Sequence, residues 1–297
     1  MFIDNTGLKT VFSAFNGAYI KGFDEAPKTY KDISMTVPSG TEAEEYGWLA
    51  QIPGMREWIG SRHVKNLMGT GFVLKNKLFE STVAVGRTKI EDDKYGIFSP
   101  LFQEMGQTAG AFPNELVYAL LKAGFTTNCY DGQPFFSTSH PYQNDVGATV
   151  TYSNMQAGTD PAWYLLDTTR AIRPLIYQER MPFELQRQDK SEDENVFMND
   201  EFRYGIRSRC NAGYGFWQLA YGSKGLLNAA NYELARQTMM AVKGEAGRTL
   251  NITPTYMVVP PLLEGAARRL LNAALGTGGI TNEWANTAKL IVAPQLA

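Results

Sequence analysis

The stretch IEDDKYGIFSPLFQEMGQTAGAFPNELVYALLKAGF, residues 90–125, decides how the rest of the chain is read. Ser99 suits a helix cap, and Pro100 suits the first helical position, where a missing N–H costs nothing. From there Leu101, Phe102, Met105, Ala109, Phe112, Leu116, Ala119, Leu120 and Ala123 recur on one apolar face, and Gly124 stops it. Unbroken, residues 99–123 would span roughly 37 Å at about 1.5 Å per residue, which is the length of a domain's central element. Pro113 lies inside this pattern. It lacks an N–H, so it predicts a kink or a split into two pieces. Glu91, Asp92 and Asp93 precede the helix and are placed to complement its positive end.

Upstream, the pattern changes period. Residues 46–92 read as short β-type runs broken by Pro53, Gly54, Gly60, Gly69 and Gly71. Lys75-Asn76-Lys77 reads as a hairpin tip between residues 72–74 and 78–85. Such a ribbon is marginal alone in water, so it lies on a body or on another chain. Further back, GLKTVFSAFNGAYIKGF (7–23) puts Leu8, Val11, Phe12, Phe15, Ala18 and Tyr19 on one helical stripe. The stripe must dock, either onto the chain's own core or onto a neighbour.

Downstream, residues 161–186 read as a short helix or turn followed by a strand. DKSEDENVF (189–197) is a charged, solvated connection, and residues 201–223 form a long strand or hairpin with large aromatics between glycines. The C-terminal part alternates helix, strand, helix, strand: NYELARQTMMAVKG (231–244), TYMVV (255–259), a helix opened by Pro260-Pro261 and closed by Gly276, and AKLIVAP (288–294).

The chain has 297 residues, 44% of them hydrophobic, enough for a large core. Its net charge of −2 offers no field for sequence-specific binding to a polyanion. Two cysteines without a CxxC pair exclude a disulfide framework and a cysteine-built zinc site. The first residues lack a signal-peptide pattern, and no run of about 18 apolar residues appears. The 28 glycines predict many turns, and the 12% aromatic content supplies the rigid contact area that interfaces use.

One loop looks reactive. NCYDGQPFFSTSHP (128–141) carries Cys129, Asp131 and His140 within a dozen positions. A thiolate and an imidazole base could make a hydrolase. Against that, Asp131-Gly132 makes a turn, Pro134 stiffens it, and Ser137 to His140 cap backbone groups. Arg203, Arg207 and Arg209 alternate on a strand and are read as partners for nearby acidic groups rather than phosphate ligands. No constellation carries catalysis.

The order of elements, and the wording of YGWLAQIPGMREWIG (46–60), IEDDKYGIFSPLFQEMG (90–106), ELVYALLKAGFTTNCYDGQPFFSTSHP (115–141), WYLLDTTRAIRPLIYQ (163–178), GYGFWQLAYGS (213–223) and PTYMVVPPLLEGAARRLL (254–271), resemble the major head subunits of Mu-like bacteriophages and prophages, the gpT family. That resemblance implies the α+β fold of tailed-phage and herpesvirus major capsid proteins, the Johnson or HK97-like fold. Its parts would be an N-terminal arm (1–45), an extended β loop (46–92), a peripheral domain (93–225) with a spine helix near 99–124, and an axial domain with the C-terminal strand (226–297).

The implied role is structural, with no enzyme activity, cofactor, metal or membrane. The chain would assemble with itself, as hexamers and pentamers, into an icosahedral or prolate capsid around double-stranded DNA touched non-specifically. It would assemble in the host cytoplasm with a separate scaffolding protein, a portal and a decoration protein, and reside in the virion. The subunit interface is expected at Phe12, Phe15 and Tyr19 of the arm and at Trp48, Trp58, Phe72, Lys75, Lys77 and Phe79 of the loop. No covalent cross-link through Lys75 or Lys77 is expected. The alternatives are an encapsulin-like compartment and, in another class, a cysteine hydrolase using Cys129 and His140.

Overall fold

The structure, a computed structural model, describes residues 5–47, 72–92, 96–143, 148–244, 249–275, 279 and 281–297. Along the chain run α1 (Asn5–Glu25), α2 (Tyr30–Ile33), β1 (Ser34–Pro38), β2 (Ala43–Glu45), β3 (Val73–Lys75), β4 (Lys77–Gly86), α3 (Arg87–Glu91) and α4 (Ser99–Ala123). There follow β5 (His140–Gln143), β6 (Thr149–Tyr152), β7 (Met155–Gln156), β8 (Trp163–Leu166), β9 (Leu175–Gln188), α5 (Glu194–Asn199) and β10 (Glu201–Tyr214). The chain closes with β11 (Ala220–Ser223), α6 (Ala229–Met240), β12 (Tyr256–Val259), α7 (Glu264–Leu271) and β13 (Lys289–Val292).

The helix predicted for residues 99–123 forms as α4; of the expected face it buries Phe102, Met105 and Ala109, while Leu101 and Ala119 are exposed and the buried side of its second half is Val117, Tyr118 and Leu121. Pro113 does not split it; the helix is continuous through that position. The missing N–H removes one bond, and burial of the surrounding face holds the helix together across the gap. The amphipathic stripe of residues 7–23 becomes α1, which packs along α4. Glycine makes that packing close. A Cβ at Gly106 would stand 2.0 Å from the Tyr19 carbonyl oxygen, and one at Gly22 1.9 Å from that of Gln103. Backbone meets backbone there, so only glycine fits.

Two sheets carry the rest. The first has strand order β1-β9-β10-β4. Its long strands β9 and β10 are antiparallel, β4 adds antiparallel to β10, and β1 adds parallel to β9. The second has order β13-β12-β8-β11-β7. Its central β8 is buried at every position, as expected for a strand covered on both faces. Two small ribbons, β2-β3 and β5-β6, complete the strands among the described residues.

Four expectations are corrected. Lys75-Asn76-Lys77 is no hairpin tip: β3 pairs with β2, while β4 pairs with β10. Asn76 is buried between them, its amide donating to Ser39 and to the Thr41 carbonyl. WYLL at 163–166 is a strand rather than a short helix or turn, because its aromatic and leucine side chains fill a sheet centre on both faces. The expected boundary at 225/226 cuts one sheet, since β8, which also pairs with β11, pairs with β12 from beyond it. Helices α6 and α7 stop at Met240 and Leu271, short of the glycines at 244 and 276.

Candidate assembly surfaces

The reactive-looking loop is the first test of function. Cys129 Sγ lies 3.1 Å from Asp131 Oδ1, and His140 Nδ1 donates to Asp131 Oδ2 at 2.6 Å. Asp131 Oδ1 also accepts the Gln133 N–H at 3.0 Å, closing the turn that Gly132 completes at φ +80°. The His140 ring is fully buried and stacks on Trp217 with centroids 4.0 Å apart. Thiol and imidazole both address the carboxylate, so nothing prepares a thiolate. Burial, and then the neighbouring Asp131 charge, push the Cys129 thiol well above its usual range. Burial alone would raise Asp131; the hydrogen bonds from His140, Gln133 and Cys129 outweigh it and hold the carboxyl below its ordinary value. These three side chains could hold a metal ion by type and spacing. As they stand, Cys129 Sγ and His140 Nδ1 both bond Asp131 and pin the loop over Trp217, while His140 Nε2 is buried without a hydrogen-bond partner among the described residues. The arrangement is a structural staple.

The expected interface residues separate by location. Phe15 and Tyr19 do not face outward. Phe15 stacks on Phe102 at 4.1 Å, and the Tyr19 hydroxyl donates to the Phe183 carbonyl at 3.1 Å. The stripe on α1 docks onto its own chain, which corrects the expectation for both. Phe12 is half-buried beneath the Arg187 guanidinium, 4.7 Å from the ring centroid. Phe72 and Phe79 are also half-buried, and Phe79 sets its edge against Phe112 at 4.7 Å. Lys75 and Lys77 are exposed, with Lys75 paired to Glu42 at 2.7 Å. Trp48 and Trp58 lie outside the described residues.

What the sequence missed is how the base of the extended segment is fixed. Gln178 on β9 is fully buried. Its amide accepts the Tyr46 hydroxyl at 2.7 Å and donates to the Leu74 carbonyl at 3.1 Å and to Asn76 Oδ1 at 2.8 Å. One side chain therefore grips both the entry and the exit of residues 47–73. Glu44 closes the adjacent turn by accepting from Ser39, Gly40 and Thr41, which draws its carboxyl down to about 2. No periodicity marks Gln178. An amide inside an apolar strand, LIYQ, is the signal that was available.

Arg203 pairs with Glu201 at 3.6 Å, and Arg207 stands in register with Glu80 on one side and Glu184 on the other. Both fit the reading as partners of acidic groups. Between α4 and the first sheet lies an apolar groove of about 220 Å³, lined by Phe79, Met105, Ala109, Phe112 and Phe183 and rimmed by Glu80 and Glu104.

The body is two sheets with the long helix α4 packed against one of them. Comparison with solved structures gives the class: the procapsid subunit of bacteriophage JBD30 superposes with a TM-score of 0.87 at 44% identity, covering 99% of this chain and 100% of that one. The capsid of the same phage matches with a TM-score of 0.79 at 34% identity over 92% of each chain. The fold is that of tailed-phage major capsid proteins. The chain belongs to the Mu-like prophage major head subunit gpT family, whose model matches residues 8–296. The major capsid protein of Escherichia phage Mu is 40% identical over the full length of both proteins. The Mu-like prophage FluMu major head subunit of Haemophilus influenzae is 44% identical over 90% of this chain and 89% of that one. The protein is a capsid shell subunit, and neither the compartment nor the hydrolase alternative is favoured.

Proposed function

We propose that copies of this chain form hexamers and pentamers that close into a shell around double-stranded DNA. The observation that carries this reading is the match to a procapsid subunit over 99% of this chain and 100% of that one. In this reading the extended segment, gripped at its base by Gln178, lies across a neighbouring copy. Trp48, Trp58, Phe72 and Phe79 then supply contact area, Lys75 and Lys77 its polar rim, and Phe12 the contact from the arm. Phe15 and Tyr19 take no part, being buried within the chain. Extended arms raise the buried area per copy into the range of obligate assemblies.

Assembly takes place in the bacterial cytoplasm on a separate scaffolding protein and a portal. A decoration protein is supported by the JBD30 capsid, which carries minor capsid protein trimers. The net charge of −2 suits a lining that touches DNA weakly. Nuclease treatment of particles purified from induced cells tests the reading: double-stranded DNA protected inside shells of this chain is expected. Shells filled with protein cargo and no DNA would refute it.

A further inference from the structure

Among the described residues, Cys129, Asp131 and His140 form the one group of three metal-binding side chains whose donor atoms all lie within 4.8 Å of one another. The backbone fixes where they stand. The Cys129 N–H donates to the Gln133 carbonyl at 2.8 Å, and the Gly132 N–H donates to the Cys129 carbonyl at 3.1 Å, which closes the turn carrying the first two. His140 opens β5, where it pairs with Tyr152. The three donors are therefore held together whatever bonds their side chains make, and little ordering remains to be done on binding. Gly132 and Ser139 beside them are exposed, so an ion has a short path in from solvent.

Donor type selects the ion. A thiolate, an imidazole and a carboxylate make the mixed sulfur, nitrogen and oxygen set that zinc takes, whereas calcium and magnesium take oxygen. Charge agrees. A divalent cation with one thiolate, one carboxylate and a neutral imidazole sums to zero, which suits a buried group. Sγ lies 3.1 Å from Asp131 Oδ1, and Nδ1 lies 2.6 Å from Oδ2. Tetrahedral zinc sets neighbouring donors about 3.3–3.6 Å apart, so the group opens by less than about 1 Å to admit it. The buried His140 Nε2 bonds nothing among the described residues. Moving the ring proton from Nδ1 to Nε2 therefore breaks no bond at Nε2 and turns the Nδ1 lone pair toward the cation.

We propose that Cys129 Sγ, the Asp131 carboxylate and His140 Nδ1 bind one zinc ion. The metal bonds replace the two hydrogen bonds to Asp131 and brace the loop against Trp217, on which the His140 ring stacks. Binding releases the Cys129 proton to solvent, the ring proton moves to Nε2, and water completes the fourth position.

The test uses the full chain, stripped with a chelator and dialysed against zinc. One zinc per chain should be retained, and the unfolding midpoint should rise. Cobalt(II) in its place should give the charge-transfer absorption of a thiolate–cobalt bond. Cys129→Ala should lose that band and weaken zinc binding about tenfold or more, and its midpoint should no longer respond to zinc. Asp131→Asn should weaken binding while keeping the band. Zinc retained at well under one per chain, a cobalt complex without the thiolate band, or wild-type zinc affinity in Cys129→Ala would overturn the proposal. The cobalt spectrum of the unaltered chain decides it even where a variant fails to fold.

Discussion

Replacing Gly106 by alanine should destabilise the chain, while the same replacement at Gly17 should stabilise it. Both lie within helices, α4 and α1, so each exchange gains up to about 1 kcal/mol of helix propensity. At Gly17 nothing lies within 4 Å of the added methyl group, and the gain stands alone. At Gly106 the methyl would sit 2.0 Å from the Tyr19 carbonyl oxygen and 2.9 Å from the Phe23 nitrogen. Both are backbone atoms of α1 and cannot rotate aside. Restoring ordinary contact requires α1 to retreat by more than an ångström. That loosens the Phe15–Phe102 stack, and a gap of about 0.5–1 Å already forfeits a quarter to a half of each contact. Overpacking of this kind costs about 1–3 kcal/mol and occasionally more, so after the propensity gain a net loss of about 1 kcal/mol or more is expected. Urea unfolding of the unassembled chain reads both variants. Equal stability of G106A and G17A would refute the reasoning, because it would mean that α1 does not cross α4 at contact distance.

Gln178→Leu leaves the Tyr46 hydroxyl and the Leu74 carbonyl without their buried partner, and should cost about 2–3 kcal/mol. Hydrogen exchange should speed at residues 43–46 and 73–76 before it speeds in β10. Cys129, buried and held as a thiol, should react with a thiol reagent only at the rate of unfolding, and Cys129→Ala should still assemble. Fast labelling of the folded chain would restore the nucleophile reading. Asp131→Asn should cost about 2–3 kcal/mol near neutral pH, where the carboxylate holds charge-assisted bonds to His140 and to the Gln133 N–H. Its folded pKa is lowered, so this stability is fully present above the usual carboxylate value of about 3.9 and is lost as pH falls through the lower folded value. The difference between wild type and D131N in pH-dependent melts should therefore shrink only in strong acid; a difference that grows on acidification would reverse the sign.

The elements with a long, regular apolar period were legible from sequence. Residues 99–123 and 7–23 each declared a helix, because every third or fourth position had to face a core. The docking of α1 on its own chain was open at that level. It is decided by Gly22, Gly106 and Gly110, whose role is visible only once two helices are laid across one another. Strand pairing was less legible. Lys75-Asn76-Lys77 has turn-forming residues between two β-type runs, yet Asn76 is held by Ser39 and Thr41 from far upstream, and such long-range bonds leave no local pattern. The sheet boundary failed for the same reason: β8 and β12 are distant in sequence and adjacent in space. At Cys129 and His140 the turn chemistry of Asp131-Gly132 pointed to a structural loop, and the shared bonds to Asp131 agree.

The most direct test of the central claim is electron cryo-microscopy of this chain expressed with its scaffolding protein. The account predicts closed shells in which every subunit shows α4 crossed by α1 and an extension rising from the β2-β3 ribbon over an adjacent copy. A uniform population of monomers or dimers that stays unassembled in the presence of scaffold would contradict it.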